Sequence, residues 1–220
     1  MYQNVMKRNA IKELYEWKEN NGRKPLVILG ARQVGKTWLM KEFGKEAYKK
    51  CAYVNFEDND DLRGLFEHDF DIQRIIANLQ WTTGVTIDED TLIILDEIQE
   101  APRGITALKY FQEKAPQYHV IAAGSLLGIA MHKNDSFPVG KVDFMHLYPL
   151  SFYEFLNAIG EKKMVDLLQA KDWTMLTMVR AKFEERLRQY YFVGGMPAAV
   201  LAFVNDGDLN KVRTIQKSII

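Results

Sequence analysis

The sequence predicts an α/β fold: a three-layer sandwich with a mainly parallel five-stranded sheet, followed by a small helical domain. Short apolar runs such as LVIL at residues 26–29 and LIIL at 92–95 have the length and composition of strands buried on both faces. These runs alternate with segments of helical spacing, which is typical of parallel sheets. No further strand pattern occurs after residue 150.

The elements follow one another in a regular order. Ile11, Leu14 and Trp17 have the spacing of a helix over residues 9–20. Strands are predicted at residues 26–29, 51–56, 91–95, 119–123 and 141–147, and helices at 36–50, 62–80 and 105–114. In the last strand, Val142, Phe144 and His146 alternate with Asp143 and Met145. This order predicts right-handed crossovers between parallel strands.

A domain boundary is predicted near Leu150. Ser151 and Glu154 have the spacing of a capping box that opens a helix. The rest of the chain has a helical pattern, interrupted at residues 194–197. We therefore expect an α/β core domain at residues 1–150 and a helical lid at 151–220. Because the last residues still have a helical pattern without a stop signal, we expect the natural protein to continue beyond them.

Composition and charge limit the function classes. The 29 basic and 29 acidic residues balance, so the net charge gives no support for a nucleic-acid partner, although a local basic patch is left open. Cys51 is the only cysteine, which rules out an intrachain disulfide and favours a reducing compartment. The sequence shows no signal peptide and no apolar run long enough to cross a membrane. We therefore expect a cytoplasmic protein with no membrane partner.

A phosphate-binding loop is the strongest motif. The sequence GARQVGKT at residues 30–37 fits G-x-x-x-x-G-K-[ST] and lies between a predicted strand and a predicted helix. Gly30 and Gly35 allow successive backbone N–H groups to point at phosphate oxygens, and Lys36 adds positive charge. Thr37 offers a hydroxyl to Mg²⁺. The expected nucleotide-binding residues are Gly30, Ala31, Arg32, Gln33, Val34, Gly35, Lys36, Thr37 and Trp38.

Two carboxylates follow the strand at 92–95. Asp96 and Glu97 would lie beyond the carboxyl end of the sheet, where open α/β sheets bind ligands. Asp96 is suited to hold Mg²⁺ together with Thr37. Glu97 is suited to act as the general base that activates a water molecule. Lys36 and Glu97 are therefore the expected catalytic residues.

The motifs together resemble a known family. GARQVGKT at 30–37, LDEIQ at 95–99, GS at 124–125, YPLSFYEF at 148–155 and GGMP at 194–197 occur in one order. This set resembles the predicted AAA+ ATPases of bacteria and archaea that carry a C-terminal domain of unknown function. The resemblance covers nearly the whole chain, and it implies a P-loop NTPase fold with ATP and Mg²⁺ as ligands.

The resemblance also implies a third catalytic residue. In NTPases with an additional strand, the strand that ends at Ser125 lies between the phosphate-loop strand and the Asp-Glu strand. Ser125 would then contact the γ-phosphate or the attacking water, or alternatively cap a helix that begins at Leu126. The family often has Gly-Arg where this chain has Gly140 and Lys141, and Lys lacks the bidentate fork of Arg.

Two functions remain. The first is an ATPase that binds and hydrolyses Mg-ATP; the second is a regulatory nucleotide-binding switch with negligible turnover. Partners would be ATP and either a protein or the C-terminal domain of the same protein, and an oligomer is left open. No arginine finger is evident, and the candidates are Arg103, Arg180, Arg186 and Arg188. The four histidines lack metal-ligand spacing, so a metal site built on them is disfavoured. No G-x-S-x-G elbow surrounds Ser125, so acyl-transfer chemistry lacks support.

Overall fold

The computed structural model describes residues 7–125 and 140–219, and these form two compact units. The first, the sheet unit, consists of Ala10–Ala31 and the described part of Gly35–Leu147. The second, the helical unit, consists of residues 7–9, Arg32–Val34 and residues 148–219. The boundary predicted near Leu150 for an ATPase core and a lid stays a prediction.

The sheet unit is built on five parallel strands, as the sequence predicts. They are β1 (Leu26–Gly30), β2 (Lys50–Asn55), β3 (Thr91–Asp96), β4 (His119–Ser125) and β5 (Asp143–Leu147). Their order is β2-β3-β4-β1-β5, and every neighbouring pair is parallel. Strand β4 therefore lies between the phosphate-loop strand and the Asp-Glu strand.

Helices cover both faces of this sheet. They are α1 (Ile11–Glu19), α2 (Lys36–Ala47), α3 (Asp60–Arg63), α4 (Ile72–Thr83) and α5 (Gly104–Lys114), with 3₁₀ turns at Gly64–Phe66 and Ile98–Glu100. Helices α4 and α5 pack on one face, against strand residues that include Val54 and Leu95. On the opposite face, α2 comes so close to the sheet that a Cβ on Gly44 would lie 2.9 Å from the Cys51 sulfur. The fold is thus the predicted three-layer α/β sandwich.

The predicted helix over residues 62–80 is interrupted. Helix α4 begins only at Ile72, because the Asp71 side chain accepts hydrogen bonds from the backbone N–H groups of Gln73 and Arg74. A local N-cap of this kind favours a new start over continuation of an earlier helix.

Strand β5 alternates between buried and exposed side chains, as the pattern at residues 141–147 predicts. Met145 and Leu147 are buried, whereas Phe144 is 40% exposed and His146 is also exposed. Strand β5 is at the edge of the sheet and pairs only with β1 in the described structure.

The helical unit contains six helices in its described residues. They are α6 (Phe152–Ala158), α7 (Lys162–Ala170), α8 (Trp173–Met178), α9 (Arg180–Val193), α10 (Pro197–Asp206) and α11 (Leu209–Ile219). The predicted capping box is present, since the Ser151 hydroxyl accepts from Glu154 N–H and the Glu154 carboxylate accepts from Ser151 N–H. Gly194 ends α9 with φ of 72°, and Pro197 opens α10. In the described part of the chain, every helix falls short of the length and apolarity that a membrane span requires.

Candidate functional site

The phosphate loop joins β1 to α2. Gly35 is the N-cap of α2 and has φ of 97°, a conformation that glycine adopts without steric cost. Lys36 is only 5% exposed, and its Nζ donates to the carbonyl oxygens of Gly30 and Ala31, each at 3.0 Å. The lysine charge is therefore held inside the curve of the loop, at the amino end of α2.

Asp96 is the centre of a buried polar cluster. Its carboxylate Oδ2 accepts from Thr37 Oγ1 at 2.6 Å and from the Tyr53 hydroxyl at 3.1 Å, and Oδ1 accepts from the Glu97 N–H at 3.1 Å. Asp96 is 1% exposed. The structure thus brings together the two residues predicted to hold a metal ion, one from the first turn of α2 and one from the end of β3.

Tyr53 is a member of this cluster that the sequence patterns did not indicate. It lies on β2, the strand next to β3, and its partner in the register is Ile94. Burial raises its pKa, and the negative charge of Asp96 raises it further, so the hydroxyl remains a donor at neutral pH. The Lys41 ammonium lies 3.6 Å from the centre of its ring. Only knowledge of the strand order could have placed Tyr53 beside Asp96.

Glu97 has an unusual backbone conformation. It lies between β3 and the 3₁₀ turn Ile98–Glu100, with φ of 50° and ψ of 46°, which is the left-handed region. A non-glycine residue held in that region stores local strain of about 1–3 kcal/mol, and such strain concentrates at functional sites. The Glu97 carboxylate Oε2 accepts from Gln99 Nε2 at 2.5 Å. The sequence motif contains this Gln two residues after Glu97, but its spacing alone gave no role.

Ser125 and Trp38, two further predicted site residues, also belong to the sheet unit. Ser125 ends β4 and is the register partner of Gly30, the first residue of the phosphate loop. Trp38 is on α2 and is 38% exposed. The alternative that Ser125 caps a helix concerns residues 126 and 127, which lie outside the described residues.

The middle of the loop, Arg32–Val34, belongs to the helical unit and contacts a second buried cluster there. The Arg8 guanidinium donates to the Val34 carbonyl at 2.9 Å, to the Tyr148 carbonyl and, through Nε, to Glu154 Oε1 at 3.2 Å. Glu154 also accepts from the Asn9 and Ser151 N–H groups, each at 2.8 Å. Glu154, which the sequence indicated only as a helix cap, is therefore also one half of a buried ion pair.

Three of the candidate arginine fingers are engaged in contacts. Arg103 donates to the Glu67 carbonyl at 2.6 Å and stacks on Phe70, and Arg180 pairs with Glu184 at 2.5 Å. Arg186 pairs with Glu161 at 2.9 Å. Lys141, at the position where the resembling family often has Arg, pairs with Glu113 at 3.0 Å.

The polar groups around Asp96 fit a magnesium ion. Mg²⁺ prefers oxygen ligands and is usually held by one or two carboxylates, waters and substrate phosphates. Thr37 and Asp96 supply one hydroxyl and one carboxylate within hydrogen-bond distance of each other. Among residues 7–125 and 140–219, no three His, Cys, Asp or Glu side chains cluster as a metal cage. The donor set therefore suits an ion that arrives with a phosphate ligand.

Two of the solved structures that are similar to this chain illustrate how distant the likeness is. PCH-2 of C. elegans is 13% identical with a TM-score of 0.49, over 99% of this chain and 70% of that chain. The Aeropyrum pernix ORC1 protein, solved in complex with DNA, is 12% identical with a TM-score of 0.43, over 70% of this chain and 48% of that chain. At these values neither likeness bears on function. None of the curated protein sequences matches this chain.

A family assignment comes from the sequence itself. The sequence model of a family described as AAA domain matches residues 22–156. That region contains the phosphate loop, all five strands and the pair Asp96 and Glu97. The match supports a nucleotide-binding function of the ATPase type. Because it spans more than half of the chain, this protein belongs to the AAA domain family.

Proposed function

We propose that this chain binds Mg-ATP at the phosphate loop and hydrolyses it to ADP and phosphate. The observation that supports this most is the 2.6 Å hydrogen bond between Thr37 and Asp96. It joins the first turn after the phosphate loop to the end of β3, one residue before Glu97. Thr37, Asp96 and Glu97, the proposed metal-binding and general-base residues, therefore lie close together in the sheet unit.

The loop itself would hold the phosphates. Lys36 donates to the carbonyl oxygens of Gly30 and Ala31, which are neutral acceptors. The charged β- and γ-phosphate oxygens are stronger acceptors for an ammonium group. We expect Lys36 to exchange the carbonyls for phosphate oxygens, while the N-terminus of α2 stabilises the same negative charge.

Thr37 and Asp96 would hold the magnesium ion. When bound, Mg²⁺ neutralises negative charge on the phosphate oxygens and so favours transfer of the γ-phosphoryl group. The Tyr53 hydroxyl fixes the orientation of the Asp96 carboxylate from the neighbouring strand. Outer partners of this kind commonly tune metal affinity.

Glu97 would act as the general base. It takes a proton from a water molecule whose oxygen forms the new bond to the γ-phosphorus, and the bond from that phosphorus to the β-γ bridging oxygen breaks. The products are ADP, inorganic phosphate and one proton, which Glu97 releases to solvent. Ser125, at the end of β4, would contact the γ-phosphate from the strand between β1 and β3.

The rate of ATP hydrolysis is expected to depend on a partner that supplies an arginine. An arginine supplied in trans is worth about 10³–10⁵ in rate in other phosphate-loop enzymes. Arg103, Arg180 and Arg186 are held by contacts within the chain. We therefore expect slow turnover by the isolated chain and faster turnover with a second copy, a protein partner or a C-terminal domain.

Glu97→Gln tests the proposal, with Glu100→Gln as the control. Gln cannot take the proton, so turnover should fall by about 10²–10⁴ while ATP affinity stays near that of the parent chain. Glu100 is exposed in the next turn, so its substitution should leave both quantities unchanged. The assay is single-turnover hydrolysis of labelled ATP with calorimetric ATP binding. Equal rates for Glu97→Gln and the parent would support a nucleotide-binding switch instead.

A further inference from the structure

We propose that Gln99 is a positioning residue that holds Glu97 in its catalytic orientation. This inference rests on the proposed function, because it concerns the general base of the same reaction. It is carried by three observations: a short hydrogen bond, a closely packed turn and a buried oxygen atom that has no hydrogen-bond partner in the described part of the chain.

The hydrogen bond restrains one of the two Glu97 oxygens. Gln99 Nε2 donates to Glu97 Oε2 at 2.5 Å, and Gln99 is only 7% exposed. Because one carboxylate oxygen is held, the other remains available to receive a proton from water. A group restrained in this way loses less freedom when the reaction geometry forms.

The turn that carries Gln99 is firmly packed. The Glu97 carbonyl accepts from the Glu100 N–H at 2.9 Å, and the Ile98 carbonyl accepts from the Ala101 N–H at 3.1 Å. Helix α5 packs against this turn so closely that a Cβ on Gly104 would lie 3.0 Å from the Ile98 carbonyl oxygen. The Gln99 side chain is thus presented from a backbone with little freedom to shift.

The other end of the Gln99 amide shows that the arrangement is not optimised for stability. Gln99 Oε1 is buried and has no hydrogen-bond partner within residues 7–125 and 140–219. A buried acceptor without a partner is costly. Reversing the amide would place its oxygen against the Glu97 carboxylate. The bond to Glu97 therefore dictates the orientation in which Oε1 has no donor among the described residues. An arrangement that costs stability and fixes a candidate base is typical of a functional site.

Gln99→Met separates this role from a structural one. Met keeps the length of the side chain and removes both the donor to Glu97 and the buried oxygen Oε1. We expect kcat for ATP to fall about 10- to 100-fold, as for a misplaced catalytic group, with KM unchanged. The melting temperature should be equal to or higher than that of the parent chain.

Gln112→Met is the matched control, because Gln112 Oε1 on α5 is also buried without a partner in the described structure. We expect kcat of this variant to be unchanged.

A double-mutant cycle with Glu97→Gln gives the decisive readout. If Gln99 acts through Glu97, the loss from Gln99→Met should vanish in the Glu97→Gln background. The inference is overturned if Gln99→Met turns over at or above the parent rate, if its loss persists in that background, or if its melting temperature falls by several degrees. An absence of turnover in the parent chain would refute the proposed function and this inference with it. Measurable turnover by the parent chain together with equal turnover by Gln99→Met would refute this inference alone.

Discussion

Asp96 in the sheet unit and Glu154 in the helical unit are both buried carboxylates, but their partners differ. Glu154, 6% exposed, accepts from the Arg8 guanidinium and two backbone N–H groups. Asp96, 1% exposed, accepts from two hydroxyls and one backbone N–H. In the described residues, the hydrogen-bond partners of Asp96 are thus all neutral, whereas Glu154 forms an ion pair with Arg8.

The difference indicates two different roles. A buried charge that is paired within the chain stabilises the fold as long as both partners remain. A buried carboxylate with neutral donors only is costly unless a cation joins it from outside. We infer that Glu154 is structural and that the cation of Asp96 arrives with the nucleotide. The predictions below test this distinction in order of decreasing expected effect.

Removing Glu154 should have the largest effect on stability. Glu154→Ala leaves the Arg8 charge buried without its carboxylate, which typically costs about 3–5 kcal/mol of unfolding free energy. Glu184→Ala in the same unit removes an exposed pair with Arg180 and should cause no measurable change. Urea denaturation followed by circular dichroism measures both. A loss below about 1 kcal/mol for Glu154→Ala would contradict the structural role.

Removing the charge of Asp96 should instead affect function. Asp96→Asn should leave the unfolding midpoint equal or higher, because it deletes a buried charge that has neutral donors. Turnover should fall by about 10²-fold or more, since metal-derived charge stabilisation is worth several kcal/mol. The affinity for ATP should also become the same with Mg²⁺ and with a chelator. A variant that loses stability but keeps its magnesium dependence would reverse the assignment.

The fold could be predicted from the sequence because its signals are local. The run at 92–95 is apolar throughout, which requires burial on both faces, and the phosphate loop fixes the strand before it and the helix after it. The sequence also predicts that Thr37 and Asp96 lie close together, because both motifs are at the carboxyl ends of parallel strands. Contacts that depend on strand order or on distant segments could not be predicted. Tyr53 reaches Asp96 from a neighbouring strand, and Arg8 pairs with a residue 146 positions away.

Removing the Tyr53 hydroxyl should have a smaller effect, confined to the binding of Mg²⁺. Tyr53→Phe removes one donor to Asp96 and should weaken the apparent Mg²⁺ affinity of the ATP complex about 10- to 100-fold. Binding of ATP in the presence of a chelator should not change. Tyr110→Phe is the control, because the Tyr110 ring stacks on Phe70 on the other face of the sheet. Equal magnesium titrations for Tyr53→Phe and the parent would remove Tyr53 from the site.

His119 should affect how the free energy of unfolding changes in acid, and should leave ATP binding unchanged. It begins β4 and contacts the Tyr48 hydroxyl through Nδ1 at 2.6 Å. Burial lowers the pKa of His119 from 6.5 to about 4, and the charges of Arg23 and Lys18 contribute. As the pH falls, His119 is protonated near pH 6.5 in the unfolded chain but only near pH 4 in the folded chain. The free energy of unfolding therefore decreases as the pH falls from about 6.5 to about 4.

His119→Gln should lose less stability than the parent between pH 7.5 and pH 4.5, while its ATP affinity at pH 7.5 remains the same. Unfolding midpoints at several pH values measure the difference, and comparison with the parent cancels the titration of the carboxylates. Parallel pH profiles for the two proteins would show that His119 does not contribute.

Calorimetric titration of ATP into the parent chain, Lys36→Ala and Lys45→Ala tests the central claim most directly. Both lysines are on α2 and both substitutions remove one positive charge, but Lys36 is buried in the phosphate loop and Lys45 is exposed. We expect tight magnesium-dependent binding by the parent chain and by Lys45→Ala, and no measurable binding by Lys36→Ala with its melting temperature near that of the parent. Unchanged ATP affinity in a folded Lys36→Ala protein would contradict the assignment of the loop as the nucleotide site.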